Sequence, residues 1–307
     1  TLTFSGLIGS ETLNQTIGSN FSDKNVGTGK TVTVNSIALA DGTNGGLALN
    51  YSISSGQTTT ANITAKPLSV SGTTSSNKAY DGTITATLGT GAVVYGGLVS
   101  GDTLTGTYSG VFDNANVGTG KTVTITSSYG GADVNNYTIT DQASTTADVT
   151  TKALTATASA ANKVYDGTTT ATTTLTFTGL VGSETLNQSV GSTFDNKNVG
   201  TGKTVTVNSI TLTDGTGLAA NYSISPGQTT TADVTAKALS VSGITASDKT
   251  YDANEVATLD ATSVAYTGKI NSDDFNGTYT GAFSDKNVGT GKTVTILSLI
   301  HISEPTR

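Results

Sequence analysis

The chain contains no cysteine, tryptophan or methionine, and only three prolines, one histidine and one arginine among its 307 residues. Without cysteine there is no disulfide, no thiolate nucleophile and no thiolate-ligated metal. The lone histidine, His301, lies in a C-terminal stretch that departs from the rest of the chain. The remaining body therefore offers no Ser-His-Asp triad, no histidine-ligated zinc and no histidine general base. Charge is scarce too, at 12% of residues, about half of the roughly 25% usual in globular proteins. Net charge is −7, and the lysines are scattered singly. Neither a nucleic-acid partner nor an anionic membrane surface is expected from that distribution. No apolar run is long enough to cross a membrane as a helix, so no direct membrane insertion is expected, and no signal peptide is visible. The sequence opens at Thr1 in mid-pattern and without a methionine, which reads as an internal fragment.

What fills the chain is Thr, Ser, Gly and Asn, arranged in repeats. The stretch Phe-x-x-x-Asn-Val-Gly-Thr-Gly-Lys-Thr-Val-Thr occurs four times, led by Phe21, Phe112, Phe194 and Phe283. Its Gly-Thr-Gly-Lys-Thr looks at first like the end of a phosphate-binding loop. That motif needs a glycine five residues before its last one, so that bare backbone can wrap the phosphates. Here those positions are Lys24, Ala115, Lys197 and Lys286. A phosphate-binding Lys-Thr also opens a helix, whereas this one opens Thr-Val-Thr-Val/Ile, an alternation of period two that marks a strand. The reading is a turn whose two glycines supply positive φ. Its lysine keeps its charge in water. The following pairs, Val32 and Val34, Val123 and Ile125, Val205 and Val207, Val294 and Ile296, face a core, and the Phe anchors the preceding strand.

The rest of the chain keeps step with this stretch. Lys66, Lys152 and Lys237 open successive units, each followed by an alternating strand and then Tyr80-Asp81-Gly82, Tyr165-Asp166-Gly167 or Tyr251-Asp252-Ala253. A hairpin follows with an acid aligned at Glu11, Asp102, Glu184 and Asp273. After the organising turn and its strand comes Asn-Tyr, at Tyr51, Tyr137 and Tyr222. The last strand is Thr-Ala-Asp-Val or a close variant. The boundaries are a partial repeat at 1–65, repeats at 66–151 and 152–236, and a partial repeat at 237–297. Residues 298–307 resemble a translated read-through and read as a non-native tail. The first and third repeats match each other more closely than the second, which suggests duplication of a two-repeat block.

Seven or eight short strands per repeat, with turn residues between them and no helical period, read as all-β: tandem small antiparallel β-sandwich (Ig-like) modules forming an elongated rod. A parallel β-helix would show a shorter period, near 20–30 residues, and a β-grasp-like module would need a helix. Tyr51, Tyr137 and Tyr222 stand where a tyrosine corner ties a loop to a strand, with Asp133 four residues before Tyr137.

The Lys-x-Tyr-Asp-Gly-Thr start, the Gly-Leu-Val-x-Gly-Asp hairpin, the Lys-Asn-Val-Gly-Thr-Gly-Lys turn and the Asn-Tyr-Ser/Thr-Ile strand together resemble the YDG domain family, over residues 1–296. Such repeats occur in large secreted bacterial proteins, often beside filamentous-haemagglutinin-type secretion domains. The resemblance implies a secreted or cell-surface protein of a Gram-negative bacterium, adhesin-like, with no catalytic residues and no cofactor. The expected role is a stalk, monomeric, whose host or cell-surface ligand is met by regions outside the fragment. Alternatively the repeats themselves bind glycans or self-associate between cells, or they are a non-catalytic accessory region of a larger extracellular enzyme. The candidate metal ligands are Asp81, Asp166 and Asp252, near the repeat starts, where calcium could find hard oxygen donors. No Asp-x-Asp-x-Asp-Gly loop accompanies them. An internal Lys–Asn isopeptide bond would need a buried acid, and the aligned acids read as hairpin turns.

Overall fold

The computed structural model describes residues 2–270 and 273–302. Among the described residues the fold is all-β, broken only by three short 3-10 turns, Ala48–Asn50, Val134–Asn136 and Ala219–Asn221, each just before an Asn-Tyr tyrosine. The chain divides into two compact units, Thr1–Thr151 and Lys152–Arg307.

In each repeat the strand ending in the organising Phe pairs antiparallel with the Thr-Val-Thr strand, with the same register at the Phe. Phe21 faces Val32, Phe112 faces Val123, Phe194 faces Val205 and Phe283 faces Val294. The alternation read from the sequence decides which side chains point inward. In the first unit, the second repeat carries a five-stranded sheet in the order Lys78–Ala79, Ser144–Thr150, Gly118–Gly130, Thr105–Phe112, Thr85–Ala86. On its inner face Phe112, Val123, Ala147 and Val149 are buried. The third repeat, in the second unit, repeats this order with Phe194, Val205, Ala232 and Val234 as its core. Burying a Val or Phe contributes roughly 1.5–3 kcal/mol each. The same positions in the outer repeats are less covered. Phe21 is 40% exposed and Ile296 37% exposed, so the expectation that Ile296 faces a core does not hold.

A second apolar cluster in the second repeat gathers Leu68, Val70 and Tyr137, with Tyr95, Tyr108 and Tyr129 packed against it. The three tyrosine rings meet edge to face, Tyr129 standing 6.5 Å from Tyr95 and 6.2 Å from Tyr108 between centroids.

The ladders are not purely antiparallel. Tyr137–Thr140 runs parallel to Lys66–Ser71, Ser144–Thr150 parallel to Lys78–Ala79, and the third repeat pairs in the same way. The sheets are therefore mixed, where antiparallel ones were expected. Parallel neighbours need a long connection between them, and here that connection is the body of the repeat. Alternation reports which face a residue is on, not which way its neighbour runs.

The C-terminal stretch continues its hairpin. Val294–Ile302 pairs with Phe275–Phe283 as far as Ile302 opposite Phe275. Residues 303–307 of the expected tail lie outside the described residues.

Candidate functional site

The Tyr-Asp-Gly corner is built around a lysine three residues before its Asp. Lys78 Nζ donates to Asp81 Oδ1 at 2.7 Å, to the Thr83 carbonyl at 2.7 Å, and lies 3.0 Å from Thr83 Oγ1 and 3.1 Å from the Thr85 carbonyl. Lys163 has the same four kinds of partner in Asp166, Thr168 and Thr170, at 2.7–3.2 Å. Lys249 has them in Asp252, Asn254 and Val256, at 2.8–3.0 Å. Each ammonium also sits over the organising Phe ring, 5.5–5.6 Å from the centroids of Phe112, Phe194 and Phe283. An ammonium carries three donors and no acceptor, so a cage of oxygens is its natural surrounding. The Phe21 ring lies open.

The Asp closes the cage. Asp81 Oδ1 also accepts from the Thr83 amide at 2.8 Å, as Asp166 does from Thr168 at 2.9 Å. This is a turn made by a side chain standing in for backbone. Lys163, then the Thr168 amide, holds the Asp166 carboxyl down at about 2. Lys249 and the Asn254 amide lower Asp252. Burial pushes Asp81 up, but Lys78 and Thr83 outweigh it and the net shift is downward. Gly82 and Gly167 have φ of 76° and 80°, and Ala253 keeps the same turn at φ 65°. An L-residue there carries a steric cost that glycine does not. Tyr80 is buried, whereas Tyr251 is exposed.

The organising turn holds a second lysine, and it does not stand in water. Lys30, Lys121, Lys203 and Lys292 fold back over the turn with side chains 8–17% exposed, paired with Asp23, Asp113, Asp195 and Asp285. Lys121 Nζ lies 2.8 Å from both Asp113 Oδ1 and Asn114 Oδ1. The two glycines have different jobs. Only the second has positive φ, 59–63° at Gly29, Gly120, Gly202 and Gly291. It forms a β-bulge, where the register shifts between Gly27 and Lys30, Gly118 and Lys121, Gly200 and Lys203. The first glycine makes room, since a Cβ on Gly27, Gly118 or Gly200 would lie 3.2 Å from the folded lysine's Cδ. The second glycine's amide, which a phosphate-binding loop would offer to its ligand, donates to Asn62, Asp148 or Asp233 at 2.7–2.8 Å.

The hairpin acid and the Asn-Tyr tyrosine form a bolt. Tyr137 Oη donates to Asp102 Oδ2 at 2.6 Å and accepts from the Val99 amide at 3.0 Å. Tyr222 does the same with Glu184 at 2.5 Å and the Val181 amide at 3.0 Å. Tyr51 pairs with Glu11, and the Ile8 amide reaches it at 3.1 Å. Burial, then the carboxylate, raises Tyr137 and Tyr222. The tyrosine ties a loop to a strand, as a tyrosine corner does, but its partner is a carboxylate some 40 residues upstream. Spacing alone could not have paired them. Asp133 serves elsewhere: its Oδ2 accepts from the Thr103 amide at 2.9 Å.

The acid position also meets a neighbouring repeat. Lys24 Nζ lies 2.6 Å from Asp102 Oδ1 and 2.9 Å from Asp133 Oδ1. In the second unit Tyr165 Oη donates to Asp273 Oδ1 at 2.7 Å. Burial, then Asp273, pushes the Tyr165 hydroxyl up to about 12.

The three candidate calcium ligands are thus kept apart, each in its own corner and each on its own lysine. Among the described residues no group of three or more His, Cys, Asp or Glu side chains could hold a metal ion. The YDG domain family model matches the chain over residues 1–61, 64–147, 150–232 and 235–305. No curated protein and no solved structure matches it.

Proposed function

Because the chain belongs to the YDG domain family and repeats one set of internal charge contacts along its length, we propose that it is a stalk segment of a secreted or cell-surface bacterial adhesin. The observation that carries the reading is the fate of the charged groups. The Asp of every Tyr-Asp-Gly corner and of every organising turn is held by a lysine of the same repeat. A catalytic or ligand site gathers unlike groups once, at one place, whereas these recur with the period of the repeat. That is the economy of a spacer.

In this reading the segment is a non-catalytic monomeric rod that holds a binding region, lying elsewhere in the protein, away from the cell. Three and a half repeats at ~35 Å each would span on the order of 120 Å. Small-angle scattering of the chain tests it. A maximum dimension near that length supports the stalk, and a compact particle of about half that length would sink it.

One observation favours a second reading, in which the repeats themselves bind. An open apolar hollow recurs at equivalent places, lined by Ile37, Leu39, Tyr51 and Ile53 in the first repeat and by Ile210, Leu212, Tyr222 and Ile224 in the third. In the second repeat Tyr129 stands where Leu39 and Leu212 do, and packs among tyrosines. Retention on a glycan array, abolished by Leu212→Asp, would favour this reading.

A further inference from the structure

The first two repeats meet through a turn and a socket. The turn is Lys24-Asn25-Val26. The socket is made by the hairpin acid Asp102, by Asp133 at the head of the 3-10 turn, and by Asn136 at its end. Besides the two ion pairs of Lys24, the Val26 amide donates to Asn136 Oδ1 at 2.9 Å and Asn136 Nδ2 donates to Asn25 Oδ1 at 3.1 Å. The Asp102 and Asp133 side chains are each only 10% exposed. Two carboxylates so placed repel each other unless a cation stands between them, and the cation here comes from the preceding repeat. Lys24 and then Tyr137 lower the Asp102 carboxyl; the Thr103 amide and then Lys24 lower Asp133.

The position of Asp133, four residues before the Asn-Tyr tyrosine, is Leu47 in the first repeat and Leu218 in the third, half exposed in both. Those sockets keep the first acid, as Glu11 and Glu184, and the asparagine, as Asn50 and Asn221, but have a leucine in place of the second carboxylate. The turns vary at one position as well: Lys24, Lys197 and Lys286 against Ala115.

We propose that this turn and socket are the recognition surfaces by which the first repeat docks on the second, matched by charge. A lysine turn fits a socket of two carboxylates, whereas an alanine in its place would suit this socket only with leucine at the second position. The pairing follows from charge. A lysine facing leucine forfeits one of its two ion pairs, and an alanine facing two carboxylates leaves them uncompensated. The rule deepens the stalk reading by naming what joins its first two modules, and its test is separate, since scattering reads length and exchange reads the joint.

The test is amide hydrogen exchange at Val26, whose N–H crosses the joint, in the full chain. Exchange across Gly118–Gly130 reports whether the second repeat stays folded. Lys24→Ala and Asp133→Leu should each speed exchange at Val26 about tenfold, the loss of one charged hydrogen-bonded contact. Lys24→Arg should stay close to the parent. The double variant Lys24→Ala/Asp133→Leu, which removes the cation and the second carboxylate together, should return to within about threefold of it. Val26 exchange unchanged in Lys24→Ala, or a double variant equal to the product of the singles, overturns the proposal. Where Asp133→Leu loosens its own repeat, Lys24→Ala set against Lys24→Arg decides.

Discussion

An ammonium held by four oxygens is a cation site already filled. Lys163, with the Asp166 carboxylate, the Thr168 hydroxyl and two carbonyls around it, occupies the space that a hard metal ion would seek at Asp166. Replacing it by Met leaves those oxygens without their donor and should cost about 2 kcal/mol, read from denaturant unfolding of the chain. The carboxyl of Asp166 should titrate at about 2 in the parent and nearer its ordinary value in Lys163→Met, followed by carbon NMR. The sign follows: a carboxyl depressed on folding stabilises above its unfolded value of about 3.9, and that contribution is lost as the pH falls from about 4 to 2. The Ala253 turn gives the converse case. Its φ of 65° is one that glycine adopts freely, so Ala253→Gly should stabilise the fourth repeat by about 1 kcal/mol, measured as a rise in the unfolding midpoint.

The organising turn shows how a glycine can matter for its size rather than its backbone. Gly200 has no positive φ, yet a methyl there would meet the Lys203 side chain at 3.2 Å. Gly200→Ala should push Lys203 away from Asp195 and destabilise by about 1–2 kcal/mol, while Lys203 becomes reactive to an amine-directed label. This element also marks what the sequence could tell. The strand after it was legible, because Val205 and Val207 alternate with threonines and both are buried. So was the Phe anchor of the two middle repeats, where Phe112 and Phe194 are buried. The lysine's direction was not, because a lone charge before a strand looks solvated unless one knows that Asp195 and Asn196, eight and seven residues earlier, fold back on it. Strand direction was hidden for the same reason. Tyr137–Thr140 and Lys66–Ser71 lie about seventy residues apart, and nothing in either says they run parallel. The carboxylates offered as calcium ligands were read for their hard oxygens. Their lysine, three places before, was in plain view but had no evident reason to point at them.

At the scale of the chain, a fold that carries its own cations should be indifferent to added ones. The melting temperature of the protein should be the same in millimolar calcium and in chelator, by calorimetry. A rise of several degrees with calcium would mean that a metal joins the structure. The caged lysines have one more consequence, outside stability and binding. Lys30, Lys78, Lys121, Lys163, Lys203, Lys249 and Lys292 are half of the fourteen lysines in the sequence, and with Arg307 the lysines are all the places where a trypsin-like protease can cut. Such an enzyme must draw the side chain straight out into its own pocket, which here means opening a cage and unpairing an aspartate first. Cleavage at these seven sites is then governed by unfolding of the repeat rather than by surface access. The chemistry that closes each turn therefore also shields the polypeptide from digestion.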